Sequence, residues 1–444
     1  ITSNLWVGIG AFNGSPVIRD NFIAENEGAG ILCGGHSSPT IQDNNITAND
    51  CGIIAEGEGT NPTICNNYIS RNNQYGVYIG GGCGATIYDN TITSNLRPGI
   101  HVYESSPTIK GNTIASNTEA GIGCHHNCSP IIQGNNITSN IPGGIHISNH
   151  CNPLIQGNII KSNKASGVLC YNNSLPEVHW NDIYGNEHKE VQNDDPTVTV
   201  NATYNYWGNG PDFGEISENV LYNPWLTESI IPTAEITSPL LGEIVSSTVS
   251  VSTAVDAPNG VDKVEFYIDD QLKYTDYETL YDWNWDTTQY TETEHKITAN
   301  AHDKFGLNIS ASITVFVDNT PPTVSINEPT PENIYYGIIS VSVNATDNRE
   351  IGNVHVKVDN SGWLVMTYDP AVLVWKYDLD TTPLSDGQHT LMVLALDKAS
   401  NPATTSTTLQ TDNTPPTLTI QAPQSGITVG LTLLVKVQAS DFAG

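Results

Sequence analysis

The chain has 444 residues, of which 16 are basic and 47 acidic, for a net charge of −31. That length exceeds one domain. The acidic balance excludes nucleic acid as a partner, because phosphate binding needs a basic surface, and no apolar run is long enough to span a bilayer.

The first region is a repeat. The stretch SPIIQGNNITSNIPGGIHI, Ser129 to Ile147, returns every 22 or 23 residues. Copies start at Pro16, Pro39, Pro62, Ala85, Pro107, Pro130, Pro153 and Pro176. Asparagine follows each start by five residues (Asn21 through Asn181) and again by ten (Asn26 through Asn186), and isoleucine by seven (Ile23 through Ile183). So short a period means a solenoid. The copies are rich in Ile, Thr and Val and broken by Pro, Gly and Asn, which is strand-and-turn chemistry. No helical periodicity runs through a copy. Each copy reads as one coil of a parallel β-helix with three short strands, its isoleucines stacked into a core. The asparagines are expected in tight left-handed turns, bonded amide to amide along the stack.

All eight cysteines precede residue 171. Cys33, Cys124 and Cys170 share a column that strand alternation points inward. Cys83, Cys128 and Cys151 share a turn column otherwise filled mostly by Ser or Thr. Cys128 and Cys151 fall in adjacent coils, at a spacing that allows a disulfide and with it an oxidising compartment. Two stacked free thiols are the alternative. Cys51 and Cys65 have no assignment.

The last clear coil ends near Asn186. Asn205-Tyr-Trp-Gly208 and then Asn223-Pro-Trp-Leu226 bring bulky aromatics, as a closing segment requires. With these motifs, residues 1–230 resemble the right-handed β-helix proteins of the pectate-lyase-like superfamily, in the branch with short SPxIxxNxI coils. Handedness is what the resemblance implies.

After Ile231 the pattern changes to alternating strands, among them Val264–Ile268, Ser310–Phe316, Val354–Val358 and Leu391–Leu396. A unit of about 94 residues repeats: Asp286-Thr-Thr288 returns as Asp380-Thr-Thr382, and Asp318-Asn-Thr-Pro-Pro322 as Asp412-Asn-Thr-Pro-Pro416. This length and strand density suit a sandwich. The DNTPP linkers resemble those of bacterial and archaeal immunoglobulin-like surface repeats. The expected architecture is all-β: a right-handed parallel β-helix (1–230) followed by tandem immunoglobulin-like sandwiches (231–319, 320–413) and the start of a third (414–444). Both ends read as cut from a longer protein.

Three groups of residues are candidate sites. Tyr78, His101, Tyr103, His125, His146 and Tyr171 project outward from neighbouring coils onto one face, where aromatic rings can stack on sugars or a partner; scattered exposed strand residues are the plain alternative. Asp318, Asp347, Asp412 and Asp441 lie near the sandwich junctions, where hard oxygen ligands suit Ca²⁺; turn capping is the alternative. Sequons at Asn13, Asn45, Asn127, Asn136, Asn172, Asn201, Asn308 and Asn344 permit glycosylation. No catalytic residues are assigned. The polygalacturonase-like NTD and RIK motifs do not occur, Asp194-Asp195 lies beyond the regular coils, Asp269-Asp270 lies in a sandwich, and Gly35-His36 stands alone in a turn. No cofactor other than calcium is expected. The reading is a non-catalytic extracellular or cell-surface structural or adhesive protein, part of a filament, sheath or surface layer. Its partners are other copies of itself, other surface proteins or carbohydrate. A carbohydrate-binding or polysaccharide-cleaving β-helix is the alternative.

Overall fold

The computed structural model describes residues 1–210, 215–428, 430 and 432–441. Three parallel sheets of nine, ten and eight strands wind through the first region, each coil giving one strand to each sheet. Register is one-to-one between coils: Ile87 pairs with Ile109 and Ile92 with Ile114. Columns of like side chains therefore stack, and Ile64, Ile69, Ile87, Ile92, Ile109 and Ile114 have no exposed surface. Cys33, Cys124 and Cys170 are buried in the same core.

Two asparagine ladders line this core. Asn112 is typical. Its Nδ2 donates to Asn135 Oδ1 and to the carbonyls of Ile87 and Lys110, all at 3.0 Å, and its backbone N–H donates to Asn135 Oδ1 at 2.9 Å. One amide thus satisfies its own turn and both neighbouring coils. The ladders outrun the repeat that sequence shows. One ends on Asn205, which accepts from Asn181 Nδ2 at 2.9 Å. The other begins at Asn4, which donates to Asn26 Oδ1 at 2.7 Å, and closes on the Glu190 carboxylate, which accepts from Asn186. The backbone corrects one expectation. The left-handed residue is the one before each ladder asparagine: Asp20, Asp43, Asn66 and Asp89 before one column, and Glu25, Ala48, Arg71 and Ser94 before the other. The ladder asparagines themselves are not left-handed.

The solenoid also continues past Asn186. Val191–Asn193, Val200–Asn201 and Val220–Leu221 still pair in parallel with the coils before them. Trp207, 2% exposed, packs onto the core there.

The remainder is antiparallel. The first sandwich sets Thr233–Ser238, Thr248–Asp256 and Asp282–Asp286 against a five-stranded sheet containing Val261–Ile268, Glu294–Asp303 and Asn308–Val317. Phe266 and Trp285 fill its centre. The second repeats the plan between Thr323 and Thr411. Thr417–Ala422 pairs with Lys436–Ser440 beyond it.

The first sandwich docks on the flank of the solenoid. The left-handed corner column changes from Asp and Asn to Gly111, Gly134 and Gly157. A Cβ on Gly157 would lie 2.4 Å from Phe305 Cβ, and one on Gly134 would lie 2.3 Å from Phe305 O. These glycines therefore serve both positive φ and close approach. Leu307 buries beside Ile159 and Ile230. The Asp182 carboxylate holds the incoming linker through the Ile230 N–H at 2.9 Å and through Ser229.

Candidate functional site

The outward face of the first sheet carries the six aromatic residues in two register columns. One runs Tyr78, His101, Gly123, His146; the other runs Gly80, Tyr103, His125, Ser148, Tyr171. The rings lie down rather than stand up, because glycines leave room beside them: a Cβ on Gly80 would meet the Tyr78 ring at 2.7 Å, and one on Gly123 would meet His125 Nε2 at 3.1 Å and His101 Nδ1 at 3.4 Å. They stack across coils. His101 lies 5.0 Å from His125 and 5.5 Å from Tyr78, centroid to centroid. Tyr75 joins at 4.6 Å from His101, and Tyr103 pairs with His126 at 4.8 Å. Sequence reasoning missed Tyr75 and His126 because both sit in turns outside the strand columns. Tyr171 stands two coils beyond His125, with no ring against it in this stack. All six predicted residues are half-buried.

Burial pushes His101 and His146 down to about 4, with the nearby His125 adding to the effect in both. The His125 imidazole is lowered too, by burial and then by His126. Burial therefore favours the neutral form of the His101, His125 and His146 imidazoles. Ser148 Oγ lies 2.7 Å from His125 Nδ1 and fixes that ring.

At the joint between the sandwiches the linker decodes residue by residue. Asn319 clamps the first domain: its Oδ1 accepts from Ser247 N at 2.8 Å and Thr287 Oγ1 at 3.0 Å. Asn413 does the same at the next linker, accepting from Gly337 N at 3.0 Å and Thr381 Oγ1 at 3.4 Å. The preceding aspartate keeps one oxygen buried without a hydrogen-bond partner, Asp318 Oδ2 at the first linker and Asp412 Oδ1 at the second. Asp318 and Asp347 come together with Asp397, their candidate ligand oxygens all within 4.8 Å of one another. Asp412 and Asp441 instead line a separate cavity of about 600 Å³ at the second joint. The four predicted aspartates thus sort into two places. Asp397 was overlooked as a ligand because it sits at a strand end, far in sequence from either linker.

Cys128 and Cys151 are free thiols, with Sγ atoms 2.7 Å apart in stacked turns. They belong to a third ladder, in which the Cys128 N–H meets Cys151 Sγ and the Cys151 N–H meets Ser174 Oγ, each at 3.2 Å. Cys51 and Cys65 are buried. Among the sequons, Asn13, Asn45, Asn127, Asn172, Asn308 and Asn344 are exposed, and Asn136 and Asn201 are half-buried.

Comparison with known proteins agrees with this architecture. Residues 51–211 match a family model described as a right-handed beta helix region. Residues 232–299 and 322–393 match a bacterial Ig domain, and residues 373–440 a bacterial Ig-like domain of group 3. The chain is a right-handed parallel β-helix joined to bacterial Ig-like domains. Residues 1–75 also match a model described as periplasmic copper-binding protein (NosD). Within that span Cys33, Cys51 and Cys65 are buried and His36 is exposed. Cys33 lies in the first sheet and Cys65 in the second, with the Cys33 thiol pushed up to about 12 by burial. These residues do not assemble a copper centre. The metal-capable group that converges among the described residues is the all-oxygen joint cluster.

Solved structures with similarity include the fibronectin(III)-like modules of Clostridium thermocellum CbhA (22% identity, 40% of this chain and 93% of that one, TM-score 0.32). They also include the A-module of the Azotobacter vinelandii mannuronan C-5 epimerase AlgE6 (16% identity, 48% and 65%, TM-score 0.33), and a 1.5-MDa bacterial ice-binding adhesin (17% identity, 44% and 70%, TM-score 0.24). No curated protein matches the chain. No helix among the described residues is long and apolar enough to cross a membrane.

Proposed function

We propose that this is an extracellular, cell-surface scaffold that acts by shape and stiffness, as part of a filament, sheath or surface layer. The observation that carries the reading is the docking of the first sandwich on Gly111, Gly134 and Gly157. A flexible string of modules needs no such seat. Here the solenoid gives up side chains at three successive corners to admit the Phe305 loop. Stiffness continues into the second sandwich. Ser246 Oγ donates to Ala399 O at 2.9 Å, the Arg349 guanidinium donates to Glu292 O at 3.0 Å, and that guanidinium lies 4.9 Å from the Phe316 ring centre. Calcium is the cation this reading gives to the carboxylate joint. Other copies of the chain, or other surface proteins, are its partners through the lateral faces of the solenoid.

Small-angle scattering of the whole chain tests the reading. The wild type should scatter as one rigid outline, and Phe305→Asp should gain a flexible profile while keeping its secondary structure. A wild type that already scatters as beads on a string would defeat it. Electron microscopy of native material should show filaments, a lattice or fibres.

The ring strip favours a second reading, binding of a neutral glycan along the solenoid. A glycan array together with a polysaccharide-degradation assay separates it from the first. Signal lost in His101→Ala would support glycan binding, and release of sugar would add cleavage.

A further inference from the structure

We infer that Asp318, Asp347 and Asp397 bind one Ca²⁺ that fixes the angle between the first and second Ig-like domains. The inference rests on the scaffold reading and gives its joint a chemical identity. The three carboxylates come from three places: the linker, the turn after Ile338–Thr346, and the end of Gly387–Asp397. Only a folded joint brings them together.

Their hydrogen bonds show which oxygens are left over. Asp318 Oδ1 accepts from Thr320 N at 3.4 Å, and Asp347 Oδ2 accepts from Arg349 N at 2.8 Å. Asp397 is oriented by Asn401, whose N–H meets its Oδ1 at 2.8 Å and whose Nδ2 meets its Oδ2 at 2.7 Å. The opposite oxygens, Asp318 Oδ2 and Asp347 Oδ1, are buried without a partner, and Asp318 is 0% exposed. Buried polar atoms are rarely left unpaired, and clustered carboxylates repel.

The nearby basic groups are engaged elsewhere. Lys398 pairs with Glu350 at 3.4 Å, and Arg349 lies over Phe316. A cation with hard oxygen preference satisfies the cluster. The irregular carboxylate set suits Ca²⁺, which tolerates varied geometry, better than Mg²⁺, which demands an octahedron and keeps its waters. Asn401 Nδ2 also donates to Asp318 O at 2.8 Å, so the residue that aims Asp397 holds the linker as well.

Two internal comparisons support the assignment. In the first sandwich the residue equivalent to Asp397 is Asp303. It is satisfied within its own domain by the N–H groups of Phe305 and Leu307 and by Asn259. The position equivalent to Asp347 there is Ala257, which carries no carboxylate. At the second joint the bare carboxylate recurs, since Asp412 Oδ1 is also buried without a partner.

Calorimetric titration of the whole chain with CaCl₂, MgCl₂ and ZnCl₂ tests this. Ca²⁺ should bind. Asp347→Asn should weaken that binding at least tenfold with circular dichroism unchanged, and Asp256→Asn should leave it as in the wild type. Three results would overturn the inference: no heat at millimolar Ca²⁺, binding of Mg²⁺ or Zn²⁺ in preference to Ca²⁺, or full Ca²⁺ affinity in a folded Asp347→Asn chain. None of these touches the Phe305 seat, so the scaffold reading stands or falls separately by scattering.

Discussion

The solenoid and the sandwiches solve the same problem, closing a β core, with opposite economies of information. In the solenoid one residue per coil does one job in every coil. Asn112 repeats what Asn90 does below it and Asn135 above it, and the cost of losing a link is shared by three coils. In the sandwiches the core is ordinary apolar packing around Phe266 and Trp285 or around Val356 and Leu391. Their specific chemistry is confined to the joints, where residues far apart in sequence meet once. Periodic structure makes its reasons visible as columns, whereas singular structure hides them in tertiary contacts.

The sharpest break of that contrast is a ladder deletion. Asn112→Leu removes the donor to the Ile87 and Lys110 carbonyls and the acceptor for Asn90. Each buried group left unpaired costs about 1–3 kcal/mol, so the solenoid should lose roughly 4 kcal/mol or more. In the second sandwich, Thr381→Val removes the Oγ1 donor to Gly337 O at 2.8 Å and to Asn413 Oδ1 at 3.4 Å, but those acceptors keep the N–H groups of Thr381 and Gly337. It should cost only about 1 kcal/mol. Chemical denaturation followed by domain-specific fluorescence measures both, and equal costs would contradict the ladder account.

A second pair isolates the seat. Gly157 and Gly185 have nearly the same backbone, φ 65° and 67°. A Cβ on Gly157 meets Phe305, and one on Gly185 meets nothing within 4 Å. Gly185→Ala should cost about 1 kcal/mol, from its left-handed conformation alone. Gly157→Ala should cost roughly 3 kcal/mol, because close contact adds to that strain.

The cysteine column offers a third test. Under oxidising conditions Cys128 and Cys151 should join, contributing at most about 3 kcal/mol in the chain-entropy model, and less in coils already held by stacking. Peptide mapping without reduction decides it. Recovery of both thiols free after treatment with oxidised glutathione counts against the pair.

The pH response of the histidines has opposite signs in the two regions. His101 and His146 are held down to about 4 by burial, so the unfolded chain takes up protons first as pH falls. Solenoid stability should be full above about pH 6.5 and decline toward pH 4, by on the order of 1–2 kcal/mol per ring. His389 in the second sandwich is raised, by the Ser385 carbonyl and then by Asp359. Its contribution is present at low pH and is lost as pH rises through its elevated value. Melting curves at pH 7.5 and 5, compared with those of a His101→Asn/His146→Asn chain and a His389→Asn chain, isolate these contributions from that of Glu190, which burial raises to about 7 and which acts with the opposite sign in the solenoid.

Much of this was legible in the sequence, and for unequal reasons. The coils, the inward cysteines, the ladders and the tandem sandwiches follow from period and pattern, since every coil restates them. The sequence also placed His101, His125 and His146 on one face, because strand alternation fixes direction. It put the left-handed residue one position late, because an asparagine in a turn satisfies two explanations and only the backbone separates them. It ended the coils at Asn186, because Asn205 and Glu190 continue the ladders outside the repeat spacing. It could not find Asp397 as a ligand or Gly134 as a seat, since nothing local distinguishes them from a strand-end aspartate and a turn glycine.

The central claim is that solenoid and first sandwich form one stiff body. Spin labels at exposed Glu58 on the solenoid and exposed Thr279 on the first sandwich measure it directly by double electron–electron resonance. The account predicts one narrow distance distribution in the wild type, broadened by Phe305→Asp. A broad or multimodal wild-type distribution, unchanged by that substitution, would contradict it.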